Sequence, residues 1–440
     1  MTVNDDSIRC RLLSRLLAIT GVVLLAGCAS FDGSGQPVLP TATGESAASA
    51  APADEKQREA EVPAPADAPD PTAEQIVGDD RPAELRALTQ GWKTNWSKRL
   101  VPYDEILSGG PGRDGIRSID IPRFERVEAA GDWLAGNEPV IVLEVGDSVR
   151  AYPLQIITWH EIVNDVVDGQ PVVITFCPLC NSALAFKSVV RGEVLKFGVS
   201  GLLRNSDLIM YDRATETLWQ QFTGEAIIGD LAGERLTFLS TAIVSFDDFR
   251  ATHPKGRVLA RDTGVRDPLF YGVNPYTGYD TYDHPLSAGG EFPLFTGELD
   301  GRLAAADRVV TVSLEESGVD VAYPYAVLEE VRVVNDSPGN EDLVVLFTPG
   351  TASALGARII AQAEDVGATG VFSPIHDGRK LTFRFDGEQI VDEETGSSWN
   401  VLGLATAGPL AGSRLEAIVH GDHFWFSWAA FKPETIIYQP

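Results

Sequence analysis

Cysteine, methionine, histidine and positive charge are all scarce in this chain, which has four Cys, two Met and six His among 440 residues. So few cysteines exclude a small module stapled by disulfides. Lys and Arg total 35 against 63 Asp and Glu, a net charge of -28, and no basic cluster interrupts the excess. Such a surface repels a phosphate backbone, so nucleic-acid binding is excluded. Beyond the first 27 residues no apolar run is long enough to cross a bilayer, which excludes a polytopic helical membrane fold. Neither a Ser-His-Asp order nor a phosphate-cradling Gly loop is present to support hydrolase or nucleotide chemistry. What remains is a globular composition, 44% hydrophobic, on a chain longer than one core usually organises.

The N-terminus reads as an export leader. Arg9, Arg11 and Arg15 precede an apolar run from Leu16 to Ala26, too short for a membrane helix. The run ends Leu25-Ala26-Gly27-Cys28, which resembles a lipobox, so residues 1–27 are expected to be a lipoprotein signal peptide and Cys28 the lipidated residue. Ala29 follows the cysteine, and by resemblance to proteobacterial lipoproteins this favours the outer membrane. The expected location is the bacterial cell envelope, facing the periplasm and held to the membrane by lipid. Residues 28–83 are rich in Ala, Pro and acid, with hardly a side chain large enough for a core, and read as a disordered tether.

Laid on itself, the chain shows two related halves. Ala151-Tyr152-Pro153 recurs as Ala322-Tyr323-Pro324, Asn164-Asp165 as Asn335-Asp336, and Phe176-Cys177-Pro178-Leu179-Cys180 falls on Phe347-Thr348-Pro349-Gly350-Thr351, all at an offset of 171. Farther on, Trp219, Gly224, Ala226 and Arg235 match Trp399, Gly403, Ala405 and Arg414 at 179 or 180. The expectation is a first repeat over 84–260, a connector over 261–297 and a second repeat over 298–440. The connector carries Tyr271, Tyr276, Tyr279 and Tyr282, as a packed joint or the lining of a cleft between the halves. Short runs of Val, Ile and Phe broken by Asp-Gly and Arg-Gly-Glu at roughly ten-residue intervals predict mainly β structure with minor helix (α+β). One helix is expected after Pro153.

Once Cys10 leaves with the leader and Cys28 is lipidated, Cys177 and Cys180 are the only free thiols. Three readings stay open. A disulfide would close a small ring and add little stability. A thiol–disulfide oxidoreductase would use Cys-Pro-Leu-Cys as an exchanging pair, though Arg191-Gly192-Glu193 soon after reads as a hairpin turn rather than the long helix that activates such thiols. The third reading is a metal knuckle, in which the residue after the second Cys takes a left-handed backbone that Asn181 tolerates. Asp168-Gly169 signals a two-residue hairpin, which would make facing residue numbers sum to 337 and set His160 opposite Cys177, about 4.5 to 5.5 Å apart at Cβ. Two Cys and one His suit Zn or Cu. His253, Met210 and Glu161 are candidates for a fourth ligand, each with an equally good packing or surface explanation, and Glu161 and Asp212 are candidate proton acceptors. The second half has Val331, Thr348 and Thr351 where the first has His160, Cys177 and Cys180, so all three groups vanish together. His420 and His423, near Trp425 and Trp428, read as aromatic core and surface.

The strings Gly109-Gly110-Pro111, Asp114-Gly115-Ile116, Ala151-Tyr152-Pro153, His160-Glu161-Ile162-Val163-Asn164-Asp165, Cys177-Pro178-Leu179-Cys180 and Met210-Tyr211-Asp212-Arg213 resemble the domain-of-unknown-function family 3179. The resemblance spans roughly 90–440 and implies no established reaction. It does imply a knuckle written Cys-Pro-Leu-Cys-Gly, in which Asn181 stands in the Gly position. The leading expectation is a lipoprotein whose first half holds Zn or Cu through Cys177, Cys180 and His160. Whether it is an enzyme, and what its protein partners are, is not legible; a plain binding module with a structural disulfide is the remaining alternative.

Overall fold

The computed structural model describes residues 76–280 and 294–440, which belong to one compact unit. The expected signal peptide, Cys28, the tether up to residue 75 and Tyr282 lie outside the described residues. The expected tether boundary at 83 moves back, because Ile76–Val77 already pairs with Lys98–Arg99 as a strand.

The described chain is mainly β, with short helices at the ends of strands. Pro139–Val145 and Ser148–Pro153 form a hairpin rich in Val and Ile, and Ala151 and Tyr152 are buried where the second strand ends. Pro153, with its fixed φ, starts the helix Leu154–Ile157, as expected. This hairpin is the centre of a five-stranded sheet that Thr241–Ser245 flanks on one side, with Arg257–Leu259, parallel to Ser148–Pro153, on the other. A meander follows, Ile162–Val167, Gln170–Cys177 and Ser182–Lys187. Its first turn is Asp168-Gly169, both at positive φ (48° and 77°), the conformation that a two-residue hairpin turn requires. Val167 faces Gln170 and Ile162 faces Thr175, so the register follows the sum of 337. A third sheet runs through Phe197–Arg204, Asp207–Asp212, Leu218–Gln220 and Ala226–Ile228.

The same order of elements occurs in 308–437. Arg308–Leu314 and Val319–Pro324 form a hairpin flanked by Gly421–Phe424 and by the parallel Ile436–Ile437. Tyr325–Val331 is its helix, Val333–Asp336, Leu343–Thr348 and Ala368–Phe372 its meander, and Phe383–Phe385, Ile390–Asp392, Ser398–Trp399 and Ala405–Ala407 its third sheet.

The two halves are not separate bodies. Three hydrophobic clusters mix residues of both: Tyr152 and Phe176 with Leu355 and Phe424, Cys177 and Trp219 with Val309 and Trp425, and Val140 and Phe249 with Ala368 and Val401. The stretch between the halves is packed in its described part. Tyr271 and Tyr279 are buried in the first of these clusters, and the Asn274 and Gly278 amides donate to the Arg358 and Leu355 carbonyls.

Candidate functional site

The strand Gln170–Cys177 carries Cys177 into the interior, and the chain turns at once through Pro178 and Leu179. The Cys180 amide donates to the Cys177 carbonyl (3.2 Å) and the Asn181 amide to the Pro178 carbonyl (3.3 Å). Asn181 takes the left-handed conformation, φ 50°, so that Ser182 can pair back against Cys177. The left-handed residue after the second Cys is as expected, and both sulfurs face one backbone oxygen: the Cys177 and Cys180 Sγ atoms lie 3.7 and 3.5 Å from the Ser206 carbonyl oxygen. That carbonyl belongs to the tight turn Asn205-Ser206 (φ 51° and 65°), and the next residue, Asp207, opens the strand Asp207–Asp212. The ligand atoms of Cys177, Cys180 and Asp207 all lie within 4.8 Å of one another. Their exposures are 2%, 0% and 0%, so the group is shut off from solvent.

A charge is expensive in such a place. Asp207 Oδ2 accepts from Gln220 Nε2 (2.6 Å) and the Phe222 amide (3.0 Å), while Oδ1 has no hydrogen-bond partner among the described residues. Burial outweighs the donors and pushes the carboxyl up to about 7. Burial likewise raises the Cys177 thiol, and raises Cys180 well above the ordinary thiol range, with the neighbouring sulfur adding to it. Glu161, buried beside them with Tyr276 Oη at 3.4 Å, is pushed up to about 8 by burial, partly offset by that hydrogen bond, and the Asp207 charge raises it further. No Lys or Arg is among the main influences on any of these four groups. They form an acidic cluster that no Lys or Arg among the described residues is shown to neutralise.

Residues far along the chain close the site. The Phe424 amide donates to the Cys180 carbonyl (2.9 Å), and the Ser427 hydroxyl reaches the same oxygen at 3.4 Å. Trp425 and Trp428 pack in the cluster that contains both cysteines.

His160 is elsewhere. The hairpin ladder ends at Ile162 and Thr175, because Glu161 has φ 57° and His160 belongs to the turn that follows the helix Leu154–Ile157. The expected pairing with Cys177 therefore fails, since cross-strand proximity applies only to residues within the strand. Both ring nitrogens are occupied. Nδ1 lies 2.6 Å from the Arg117 carbonyl, which can only accept, so Nδ1 carries the proton; Nε2 then accepts from Tyr271 Oη at 2.7 Å. Burial and the nearby Arg266 and Arg117 lower the pKa of His160, which favours the neutral ring.

Of the proposed fourth ligands, His253 contacts Glu144 through Nε2 (3.1 Å), while Met210, on the strand between Val199 and Trp219, packs in the same apolar cluster as both cysteines. Glu161 lies close enough to influence both Asp207 and Cys177. Asp212, expected as a proton acceptor, is instead saturated. It accepts from the Ala214, Thr215 and Thr217 amides, the Thr215 hydroxyl and Trp219 Nε1, which makes it the organiser of a turn.

Asp207 was not singled out from the sequence, although a signal existed. Counting from the matched pair Asp212 and Asp392, Asp207 falls on Gly387, so it disappears from the second half along with both cysteines. Val331 in place of His160 satisfied the same test, but for a residue of a different site.

No curated protein and no solved structure matches the chain. The family model described as protein of unknown function (DUF3179) matches residues 113–435, nearly the whole described chain, and the protein belongs to that family.

Proposed function

We propose that this member of the DUF3179 family is a metal-binding protein in which Cys177, Cys180 and Asp207 hold a divalent ion. One observation carries the reading: three ligand atoms of the right chemical types converge within 4.8 Å in a dry interior, with no Lys or Arg among the main influences on them from the described residues. Without a metal, all three groups must stay protonated or pay for desolvation; a dication replaces those protons and also satisfies Asp207 Oδ1. Two thiolates with one carboxylate suit Zn better than Cu(I), which prefers soft ligands throughout, so of Zn and Cu we favour Zn. A three-ligand Zn with an open position polarises a bound oxygen and lowers the pKa of bound water. Glu161, which keeps its proton up to about pH 8, is the adjacent group able to hold or release one. Thiol–disulfide exchange is the second reading, supported by the juxtaposed sulfurs. It is disfavoured by burial, because the reactive species is an accessible thiolate and both thiols are held protonated.

We further infer that the halves arose by tandem duplication, with residues 261–297 as an aromatic connector. Three hydrogen-bond signatures support this in addition to the element order. Tyr152 bonds Asp165 as Tyr323 bonds Asp336. Asn164 brackets the Phe197 backbone with both ends of its amide, as Asn335 brackets Phe383. Asp392 gathers Thr395, Ser397 and Trp399 as Asp212 gathers Thr215, Thr217 and Trp219. The leader and Leu25-Ala26-Gly27-Cys28 support an envelope lipoprotein anchored through Cys28 and facing the periplasm, on the outer membrane.

The test is metal content per full-length chain beside a count of free thiols, after anaerobic purification. Expected is close to one Zn per chain in the wild type and in His160→Ala, and almost none in Cys177→Ser or Asp207→Asn. Two metal-free thiols that oxidise and reduce reversibly would replace the proposal with thiol exchange, and a permanent Cys177–Cys180 bridge would leave a non-catalytic binding module.

A further inference from the structure

The chain is strongly acidic, yet one cleft on it is basic. The cleft has a volume of about 270 Å³, and its lining includes Arg117, Trp159, His160, Arg266 and Tyr276, with no carboxylate among the described residues. Arg266 is the notable member. Its guanidinium lies 3.9 Å above the Trp159 ring and 4.5 Å from that of Phe270, and it forms no ion pair or hydrogen bond among the described residues; Nε is buried without an acceptor. Stacking of this kind orients the planar fork and leaves its N–H edge available, while the indole beneath is itself fixed by Trp159 Nε1 donating to the Val273 carbonyl (3.0 Å). Arg117, exposed at the cleft, has no ion-pair partner among the described residues either, and its carbonyl is clamped by His160.

Residues behind the lining hold this geometry. Thr263 and Tyr271 exchange a hydrogen bond at 2.7 Å, the Tyr271 hydroxyl donates to His160 Nε2, and His160 Nδ1–H donates to Arg117. This chain occupies both ring nitrogens, so His160 positions the Arg117 backbone. Of the carboxylates on neighbouring segments, Asp262 pairs with Arg123, Asp114 and Asp120 pair with Arg213, Asp267 accepts from the Leu269 amide, and Glu161 contacts Tyr276 of the lining. Two unneutralised guanidiniums beside apolar rings are what an oxyanion with a small flat body needs: a charge-assisted, bidentate contact at one end and apolar contact at the other.

We propose that this cleft is a binding site for a small organic oxyanion, a carboxylate or a phosphate monoester carrying a compact planar body, with Arg266 as its principal anchor and Arg117 as the second. The inference does not depend on the metal reading, because none of Cys177, Cys180 and Asp207 lines the cleft.

Full-length protein would be titrated at low salt by calorimetry with benzoate, phenyl phosphate and inorganic phosphate, and bound metal measured in the same samples. Expected is saturable one-site binding of benzoate or phenyl phosphate that weakens as salt is raised. Arg266→Gln is expected to weaken it by at least about tenfold, Arg117→Gln by less, and Arg266→Lys to an intermediate degree, because an ammonium keeps the charge and loses the fork. Metal content should be unchanged in all three. Benzoate preferred over phenyl phosphate marks a carboxylate site, and the reverse order a phosphate site. Should Arg266→Gln not fold, Arg266→Lys and Arg117→Gln carry the same comparison. No saturable binding of any probe below ~10 mM, or wild-type affinity in the folded Arg266 variants, would overturn the proposal.

Discussion

At Asp212 and at Asp392 the two halves of the molecule do the same thing: each carboxylate collects a Thr hydroxyl, neighbouring amides and a Trp indole, and ties a turn to a buried ring. At positions 177, 180 and 207 they do different things. The first half turns through Cys-Pro-Leu-Cys with its sulfurs facing Asp207. The second turns through Thr348-Pro349-Gly350-Thr351, and Asp365 accepts from the Gly350 and Thr351 amides (2.7 to 3.0 Å). A carboxylate thus holds the second turn from outside, where in the first the turn brings two sulfurs beside a buried carboxyl. The contacts that the two halves share do not involve the residues at 177, 180 and 207.

The comparison breaks most decisively if the three groups can be exchanged for those of the other half. Cys177→Thr, Cys180→Thr and Asp207→Gly together should keep the circular dichroism of the parent and lose essentially all bound Zn. A triple variant that still binds one Zn per chain would sink the metal site, and one that unfolds without chelator would show that the scaffold does depend on it.

A smaller effect should appear in the pH dependence of the metal-free protein. Asp207 titrates near 7 when folded against an ordinary 3.8, and Glu161 near 8 against 4.5. For an acid whose pKa rises on folding, the unfolded chain loses its proton first. The contribution is therefore fully present below about pH 4 and is lost as pH rises to about 7 for Asp207, and to about 8 for Glu161. The Asp207 part is on the order of 4 kcal/mol. Denaturant midpoints of wild type and Asp207→Asn, compared with chelator present between about pH 5 and 8, should converge at low pH and separate at high pH; parallel profiles would contradict the buried acidic cluster. Added Zn should erase the separation, and its affinity should rise with pH as protons are displaced.

The third effect probes what the halves share. Asp212→Ala and Asp392→Ala each strand several buried donors, an indole among them, and each should cost about 3 kcal/mol by chemical denaturation. Nearly equal losses are expected, since the networks match; a loss at Asp212 twice that at Asp392, or a change in Zn content in either variant, would mean that the first network also serves the metal site.

Much of this architecture was legible because it depends on local rules. Asp168-Gly169 specified its hairpin and register through a turn that demands positive φ, the alternation of Val and Ile specified strands, and Asn181 could take the left-handed corner of the knuckle. The candidate site was legible only in part. His160 belongs to the hairpin only if the strand continues to it, and one residue at positive φ, Glu161, ends the strand first. Asp207 is separated from Cys180 by an intervening hairpin and reaches it only because the turn Asn205-Ser206 folds back over the knuckle. The basic cleft was invisible for a different reason: Arg117, Trp159 and Arg266 belong to three distant segments, and a net charge summed over 440 residues conceals two arginines with no ion-pair partner among the described residues.

The sequence by itself determined the periodicity, the turns, the internal likeness of the halves and the presence of a two-thiol knuckle, because each depends on residues near one another in the chain or on patterns that recur along it. Tertiary structure alone decided which third group joins the sulfurs, that the imidazole is committed to Tyr271 and Arg117, and that Phe424 and Ser427 close the site. The physical reason is that burial and hydrogen-bond saturation are properties of an environment assembled from distant segments, and these two quantities separate a ligand from a structural residue of the same type.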